Sequence, residues 1–298
     1  MKYSYLLICF LTIQSICAQD YVDLVKVDYG NLFNAGFENN DATTNVTSLN
    51  VNITYPIKLD DNFAILTGID FTQQGLDLFP NGDQFTLHSI RLKVGLNIKH
   101  SDRWSGTYLF LPKIASEKLH TDDNYLFYGG LAILKYQKSE KLQYRIGAYL
   151  SSEGFGILTT PILGLYYLSE QKKWEMTANL PINADVNYRF NPSTAIGFGF
   201  QAPVTSYSLE KEEGNPQLYT QSSVIEFGPY FQQSFLQQSI LLRLQAGYSS
   251  VSYEVFEEGD TLPIRLSAFE FDDDRNRLNP EMIGNLFVKV GAVYRFNL

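Results

Sequence analysis

Cysteine is scarce in this chain of 298 residues: there are two, Cys9 and Cys17, and both lie in an N-terminal stretch that reads as a cleavable leader. Lys2 gives that stretch a minimal positive start. Tyr5 to Cys17 is an apolar core of 13 residues, against roughly 20 needed to span a bilayer as a helix. Ala18 fits a cleavage point, with Ile16 as its weak position, and Ile16 is also too bulky for a lipid-modified cysteine at 17. With residues 1–18 assigned as signal peptide, the mature chain from 19 to 298 has no thiol. A disulfide framework, a thiolate metal site and a cysteine nucleophile are thereby excluded.

Positive charge is also in short supply. Lys and Arg number 23 against 32 acids, for a net charge of −9 that becomes −10 when the leader and Lys2 are removed. A pI near 4.9 lacks the basic footprint that nucleic acid demands. No apolar run of 18 residues follows the leader and mean hydropathy is −0.14, which excludes membrane-spanning helices.

Chemistry-bearing motifs are just as sparse. The three histidines, His88, His100 and His120, have no metal-ligand spacing. His88 and Ser89 are consecutive and so point to opposite faces of a strand, and no GxSxG elbow occurs. Asp272, Asp273, Asp274, Asn276, Asn279 and Glu281 offer hard oxygen ligands, but an EF-type loop counted from Asp272 would need glycine where Arg277 stands. A solvated acidic loop is the better reading. No cofactor, metal or catalytic residue is assigned.

What the chain has in quantity is aromatic residues and alternation. Tyr and Phe number 20 and 21, and aromatics make up 14% of a chain that is polar on average. From Asn285 to Leu298 two chemistries alternate without a break. Leu286, Val288, Val290, Ala292, Tyr294, Phe296 and Leu298 form an apolar set, and Phe287, Lys289, Gly291, Val293, Arg295 and Asn297 a mixed, charged one. A strand sends successive side chains to opposite faces, so each set makes one stripe. The pattern recurs with Leu49, Val51, Ile53, Tyr55 and Ile57, with Ile90 to Ile98, with Leu142 to Leu150, and with Ile240 to Tyr248. None of these apolar stripes carries a charge. That is the arrangement lipid requires, because Lys or Arg on the lipid face at midplane costs about 2–4 kcal/mol.

Connections near 59–62, 100–103, 138–141, 170–172, 191–194 and 236–238 are short and polar; those near 31–44, 77–84, 116–123, 152–156, 210–217 and 256–280 are longer, acidic or Gly-rich. Short and long alternate, as at the periplasmic and outer ends of an outer-membrane barrel. Trp174 to Phe190 alternates for 17 residues, too long for one span of about 9–11. Tyr188-Arg189-Phe190-Asn191 recurs as Tyr294-Arg295-Phe296-Asn297, so both copies end strands at the same rim and a turn near 181–183 faces the other way. Strands are expected at 21–30, 46–58, 63–73, 85–99, 103–115, 124–137, 141–151, 160–168, 172–180, 184–190, 194–206, 218–234, 238–254 and 284–298. The fold class is an all-β transmembrane antiparallel up-and-down barrel of about 14 strands, with 12 as the alternative and both termini periplasmic. A soluble barrel would point its apolar face inward and seldom needs so many strands.

The chain resembles an uncharacterised family of bacterial outer-membrane β-barrels, defined only as a domain of unknown function. The likeness rests on Val27-Asp28-Tyr29, on Asn52-Ile53-Thr54-Tyr55-Pro56-Ile57-Lys58-Leu59, on Ala64-Ile65-Leu66-Thr67-Gly68-Ile69 and on Tyr294-Arg295-Phe296. It departs in ending on Leu298, where such barrels often end in Phe. The resemblance implies fold and an outer-membrane location, and brings no substrate or catalytic residue with it.

Near the short turns, Tyr55, Phe63, Trp104, Tyr136, Tyr144, Trp174, Tyr188, Phe190, Tyr294 and Phe296 suit an interfacial girdle on the periplasmic side. The inward set carries Asp70, Arg91, Lys93, Arg145, Glu175, Asp185, Arg189, Glu226, Arg243, Lys289 and Arg295. Such charges either line a path that selects solutes or pair across the lumen and plug it, and barrel size does not decide between the two: 8 strands fill with side chains, 16–18 hold water. Arg145, Glu226 and Arg243 are the first candidates, the last two on adjacent strands where they could pair. The expected function is a pore or transporter for small polar or amphipathic solutes. A closed structural or interaction barrel with acidic loops is the alternative, and an outer-membrane hydrolase the third. No segment after the leader is long enough to be a plug domain. Expected partners are outer-membrane lipid and, through the C-terminal strand, the barrel-assembly machinery.

Overall fold

The computed structural model describes residues 21–118, 126–210, 214, 216–267 and 269–297. The leader at 1–18, His120 and Leu298 lie outside the described residues.

Period-2 sequences become strands because alternation lets one face meet an apolar medium while the other turns inward. In chain order they are β1 (Tyr21–Phe37), β2 (Asn40–Lys58), β3 (Phe63–Asp77), β4 (Gln84–Lys99), β5 (Trp104–Phe110), β6 (Lys113–Ser116), β7 (Leu126–Phe127), β8 (Gly129–Ser139), β9 (Leu142–Glu153), β10 (Gly156–Leu168), β11 (Trp174–Leu180), β12 (Asn183–Asn191), β13 (Thr194–Gln201), β14 (Val204–Ser208), β15 (Leu218–Phe235), β16 (Ile240–Glu257), β17 (Ile264–Leu266), β18 (Phe269–Phe271), β19 (Met282–Ile283) and β20 (Asn285–Asn297). Each wall strand pairs antiparallel with the next. β20 closes on β1 from Tyr21↔Asn297 to Leu32↔Phe287.

With β5 and β6, β7 and β8, and β13 and β14 each counted as one broken strand, the result is a closed antiparallel barrel of fourteen. Two of the breaks fall at Pro112 and Pro203, residues without an N–H for the ladder. Tyr21 and Asn297 both lie at the end with the short turns. The long alternation at 174–190 is two strands, β11 and β12, with their turn at Pro181–Ile182.

The outward face is apolar and exposed, for example Leu92, Val94, Ile146, Leu242, Leu244 and Val290. Inward neighbours on the same strands are buried: Lys93 and Lys289 are each 8% exposed and Ser249 1%. Toward the longer connections the interior turns apolar. Leu32, Phe37, Leu76, Leu87, Tyr207, Val224, Tyr253 and Phe287 form an apolar core inside the barrel.

The structure corrects three expected connections. Residues 31–44 form no loop: β1 and β2 run on to a tight turn at Glu38–Asn39, with Asn39 at φ 58°. A register shift between Leu32 and Ala35, with Asn34 at φ 49°, reverses the side-chain phase and hid the strand in the sequence. Residues 152–156 are likewise a tight turn, at Gly154–Phe155. The loop at 256–280 has strands of its own, the hairpin β17–β18.

Leu244→Arg places a cation on the exposed apolar face midway along β16, and is expected to cost about 2–4 kcal/mol in urea unfolding from phospholipid vesicles. Asp61→Ala, in an exposed turn, should change stability by less than about 0.5 kcal/mol. A Leu244→Arg barrel as stable as the parent would take Leu244 off the lipid face.

Candidate functional site

Inward positions of the short-turn half carry a chain of ion pairs. Lys93 meets Asp70 at 2.8 Å and donates to Thr54 at 2.8 Å, and the Asn52 amide also donates to Asp70. Lys289 pairs with Glu226, which also receives the Gln201 amide. Arg243 meets Asp185 at 2.7 Å, stands 3.7 Å over the Tyr230 ring and donates to Gln232, while the Tyr230 hydroxyl donates to the same aspartate at 2.8 Å. Glu175 receives Arg189, Tyr21 and Tyr166. Arg295 meets Asp23 at 2.6 Å and lies 3.3 Å over the Tyr21 ring.

Two inward arginines differ. Arg145 donates to the neutral amides of Gln143 (3.0 Å) and Asn179 (3.2 Å), and Arg91 lies 5.9 Å over the Tyr149 ring. Glu226 and Arg243 do not pair with each other. Their strands are adjacent, but the ladder sets Glu226 opposite Ser249 and Arg243 opposite Gln232. Six residues of strand, about 20 Å, separate the two levels. Register, which adjacency alone does not fix, hands each charge a different partner.

The girdle candidates Tyr55, Trp104, Tyr144, Trp174, Tyr294 and Phe296 sit exposed beside the short turns, and Tyr188 is half-buried against Trp174, with ring centroids 4.9 Å apart. Trp104 and Tyr136 are a similar pair at 5.0 Å.

Farther along the barrel the lumen is pinched. β12 begins at Asn183, so β14 has no wall neighbour on that side and crosses to the opposite wall. There it makes a parallel bridge, Ser208↔Ser116, to β6, and Ser206 Oγ accepts the Gly154 N–H at 2.6 Å. At the crossing Lys113 of β6 donates to both Glu153 oxygens at 2.8 Å and to Thr205 at 2.6 Å. Glu153 accepts the Ser206 N–H (2.7 Å) and the hydroxyls of Ser206 and Ser151 (2.8 Å each). The Lys113 and Glu153 side chains are 1% and 0% exposed. A pair this deep persists only when its hydrogen-bonding capacity is filled, as here. Sequence reasoning missed both residues: Glu153 fell in an expected loop, and Lys113 follows the proline that breaks its strand. The signal was a lone cation in the otherwise apolar run Leu109 to Ala115.

The apolar core packs against one side of this crossing. Phe155, Leu158, Tyr219, Phe256 and Leu262, with Tyr149 and Val204, pack against the other. Among the described residues, one cavity of about 20 Å³ is lined by Ser48, Gln74, Glu226, Ser249 and Phe287, and another of about 10 Å³ by Arg189, Thr194, Gln232 and Arg295. Each has room for about one water.

In the long loop, Arg275 donates to Asp273 at 2.8 and 2.9 Å, which holds that carboxyl below the usual range, and Asn279 is buried as a backbone clip to Leu78, Tyr253 and Val255. No three His, Cys, Asp or Glu among the described residues are placed to hold a metal. His88 faces the Glu117 carbonyl and His100 the Tyr108 hydroxyl.

Wall and lumen together define a transmembrane β-barrel of outer-membrane type. The chain belongs to the family described as Domain of unknown function (DUF6268), whose model matches residues 38–294. Among curated proteins none is significantly similar in sequence. Similar solved structures include an outer-membrane channel from Pseudomonas putida F1 (10% identity, 91% of this chain and 93% of that one, TM-score 0.43). Others are the NanC porin (10%, 91% and 98%, 0.38) and the P. putida toluene transporter TodX (9%, 95% and 94%, 0.35). Likeness of this size transfers no ligand, gate or conduction path.

Removing one partner of the buried pair, as Lys113→Met, should cost about 3–5 kcal/mol, because an uncompensated charge is left behind. The double variant Lys113→Met with Glu153→Gln should recover much of that loss in the same urea titration; additive losses would show that the two side chains act separately.

Proposed function

We propose that this barrel is a channel of the Gram-negative outer membrane for small polar or amphipathic solutes, and that the conformation described is its shut state. The observation that carries the reading is the contrast along the lumen. In the short-turn half, Asp185 and Arg243 keep 31% and 28% of their side-chain surface exposed while pointing into the barrel, and Arg145 donates to the amide oxygens of Gln143 and Asn179. Charges held inside a membrane barrel are expensive, and they are the usual lining of solute paths. The far half is apolar and is bridged by β14, which stays paired with β15 from Val204 to Ser208 while its end reaches β6. A path crossed by a strand that is laddered on one side only fits a gated channel better than a barrel built solid.

On this reading the short-turn end and both termini face the periplasm, with Tyr55, Trp104, Tyr144, Trp174, Tyr188, Tyr294 and Phe296 at its lipid interface. Asp70, Arg91, Lys93, Arg145, Glu226, Arg243 and Lys289 then line the vestibule, and β20, whose pairing with β1 is the closing seam, is the strand offered to the barrel-assembly machinery. A second reading, a permanently closed structural barrel, is favoured by the small cavities and the apolar core. No side chain is assigned a catalytic role.

Planar-bilayer recording separates the two. The channel reading expects rare openings in the parent, more frequent openings in Lys113→Met, and altered cation-to-anion selectivity in Arg145→Ala and Arg243→Ala. A folded barrel that passes no current in any of these forms would establish the structural reading.

A further inference from the structure

The wall has a notch. β11 and β12 are 7 and 9 residues long, between the 13-residue β10 and the broken strand β13–β14, which runs from Thr194 to Ser208. β10 pairs with β11 only from Leu163 to Leu168, so its stretch from Gly156 to Ile162 has no β11 beside it, and β14 has no β12. A hairpin from the long loop stands in this gap. β17 runs parallel to β10 at Leu158↔Arg265 and Thr159↔Leu266, fixed by Leu262 N–H to Phe155 O (2.8 Å) and Ser267 N–H to Thr159 O (2.9 Å).

The hairpin has the two faces of a wall. Ile264, Phe269 and Phe271 point out, 61%, 68% and 49% exposed, continuing the apolar surface of Ile157 and Leu163. Arg265 points in, 2% exposed, where it pairs with Glu270, donates to Ser223 at 2.8 Å and stacks 4.9 Å from the Phe155 ring. Arg275 adds a second clasp behind it, 3.9 Å over the Phe256 ring and 3.0 Å from the Tyr219 hydroxyl and the Gln221 amide oxygen.

This piece of wall is held differently from the rest. β9 and β10 pair without interruption from Gly156 to Tyr167, whereas β17 touches β10 at two positions and β18, among the described residues, pairs with β17 alone. An unpaired strand edge is not tolerated in hydrocarbon. The hairpin therefore stands at or beyond the headgroup level, where water satisfies its free edge and where few backbone bonds oppose its displacement. Behind it lies the aromatic cluster of Phe155, Leu158, Tyr219 and Phe256, bounded by Tyr149 and Val204.

We propose that β17–β18 is a displaceable side panel, and that the aromatic cluster it covers, packed shut in this conformation, becomes on displacement the outer binding site for a small, ring-bearing amphipathic solute entering through the barrel wall. The panel's apolar outer face keeps it against the membrane surface, and its charged inner face reseals it. The inference rests on the channel reading and adds to it the route and the solute class.

Both native cysteines lie at positions 9 and 17, so Thr159→Cys with Leu266→Cys gives a specific pair for a short, reducible thiol crosslinker. Liposomes bearing the barrel are tested for uptake of 1-naphthalenesulfonate, an amphipathic ring that does not cross phospholipid, with arabinose as a ringless polar comparison. The expected result is uptake by the parent, loss on crosslinking and recovery on reduction. Arg265→Ala, which removes the inner clasp, should speed uptake; retention of the heat-shifted gel mobility of the folded barrel is checked for both variants. Equal uptake with the panel locked and free would overturn the panel while leaving the channel standing. If neither the parent nor Arg265→Ala admits either solute, the channel reading falls and the panel with it.

Discussion

Hydrocarbon offers no hydrogen bonds, so every backbone amide that crosses it must find a partner within the chain. The seam between β20 and β1 meets that requirement, because it removes the last two free edges of a fourteen-stranded sheet. Side-chain alternation follows from the same closure. Once the wall is continuous, one stripe of each strand faces acyl chains and the other faces a lumen cut off from them. Apolar Val290 and charged Lys289 then sit one residue apart without conflict.

The same rule locates the places where the wall is imperfect. β11 and β12 reach no farther than the hydrocarbon needs, and beyond their turn the sheet is free to open because water can satisfy its edges. β14 uses that freedom by bending, still paired with β15, to reach β6 across the lumen, and β17–β18 uses it by filling the gap beside β10. Constriction and panel are thus two consequences of one short hairpin. The lumen charges obey a different balance. Desolvation makes each one costly, and the partners that offset it come from strands distant in sequence, as with Asp23 and Arg295 or Glu226 and Lys289.

Much of the fold was legible in the chain. The uncharged apolar stripes, the repeated Tyr-Arg-Phe-Asn motif and the two-strand reading of 174–190 all depend on period-2 patterning, which is local and survives in sequence. Where the pattern broke, reading failed for identifiable reasons. The phase change around Asn34 made two paired strands look like a loop, and Pro112 and Pro203 interrupted strands whose second halves carry the constriction. Inward orientation of Arg243 was legible as well, but its partner was not: Asp185 lies 58 positions away and meets it only through the successive registers of β12, β13, β15 and β16.

The sequence by itself determined an all-β wall, its fourteen passes and the face that each stripe presents, because each of these follows from residue type and spacing of one or two positions. Tertiary structure alone decided that β14 bridges the lumen to β6, that Lys113 and Glu153 meet at the crossing, and that a loop hairpin stands in the gap of the wall. Those outcomes depend on strand register and on the length of β11 and β12 relative to their neighbours. Both are set by pairing across the sheet, which no local stretch of residues encodes.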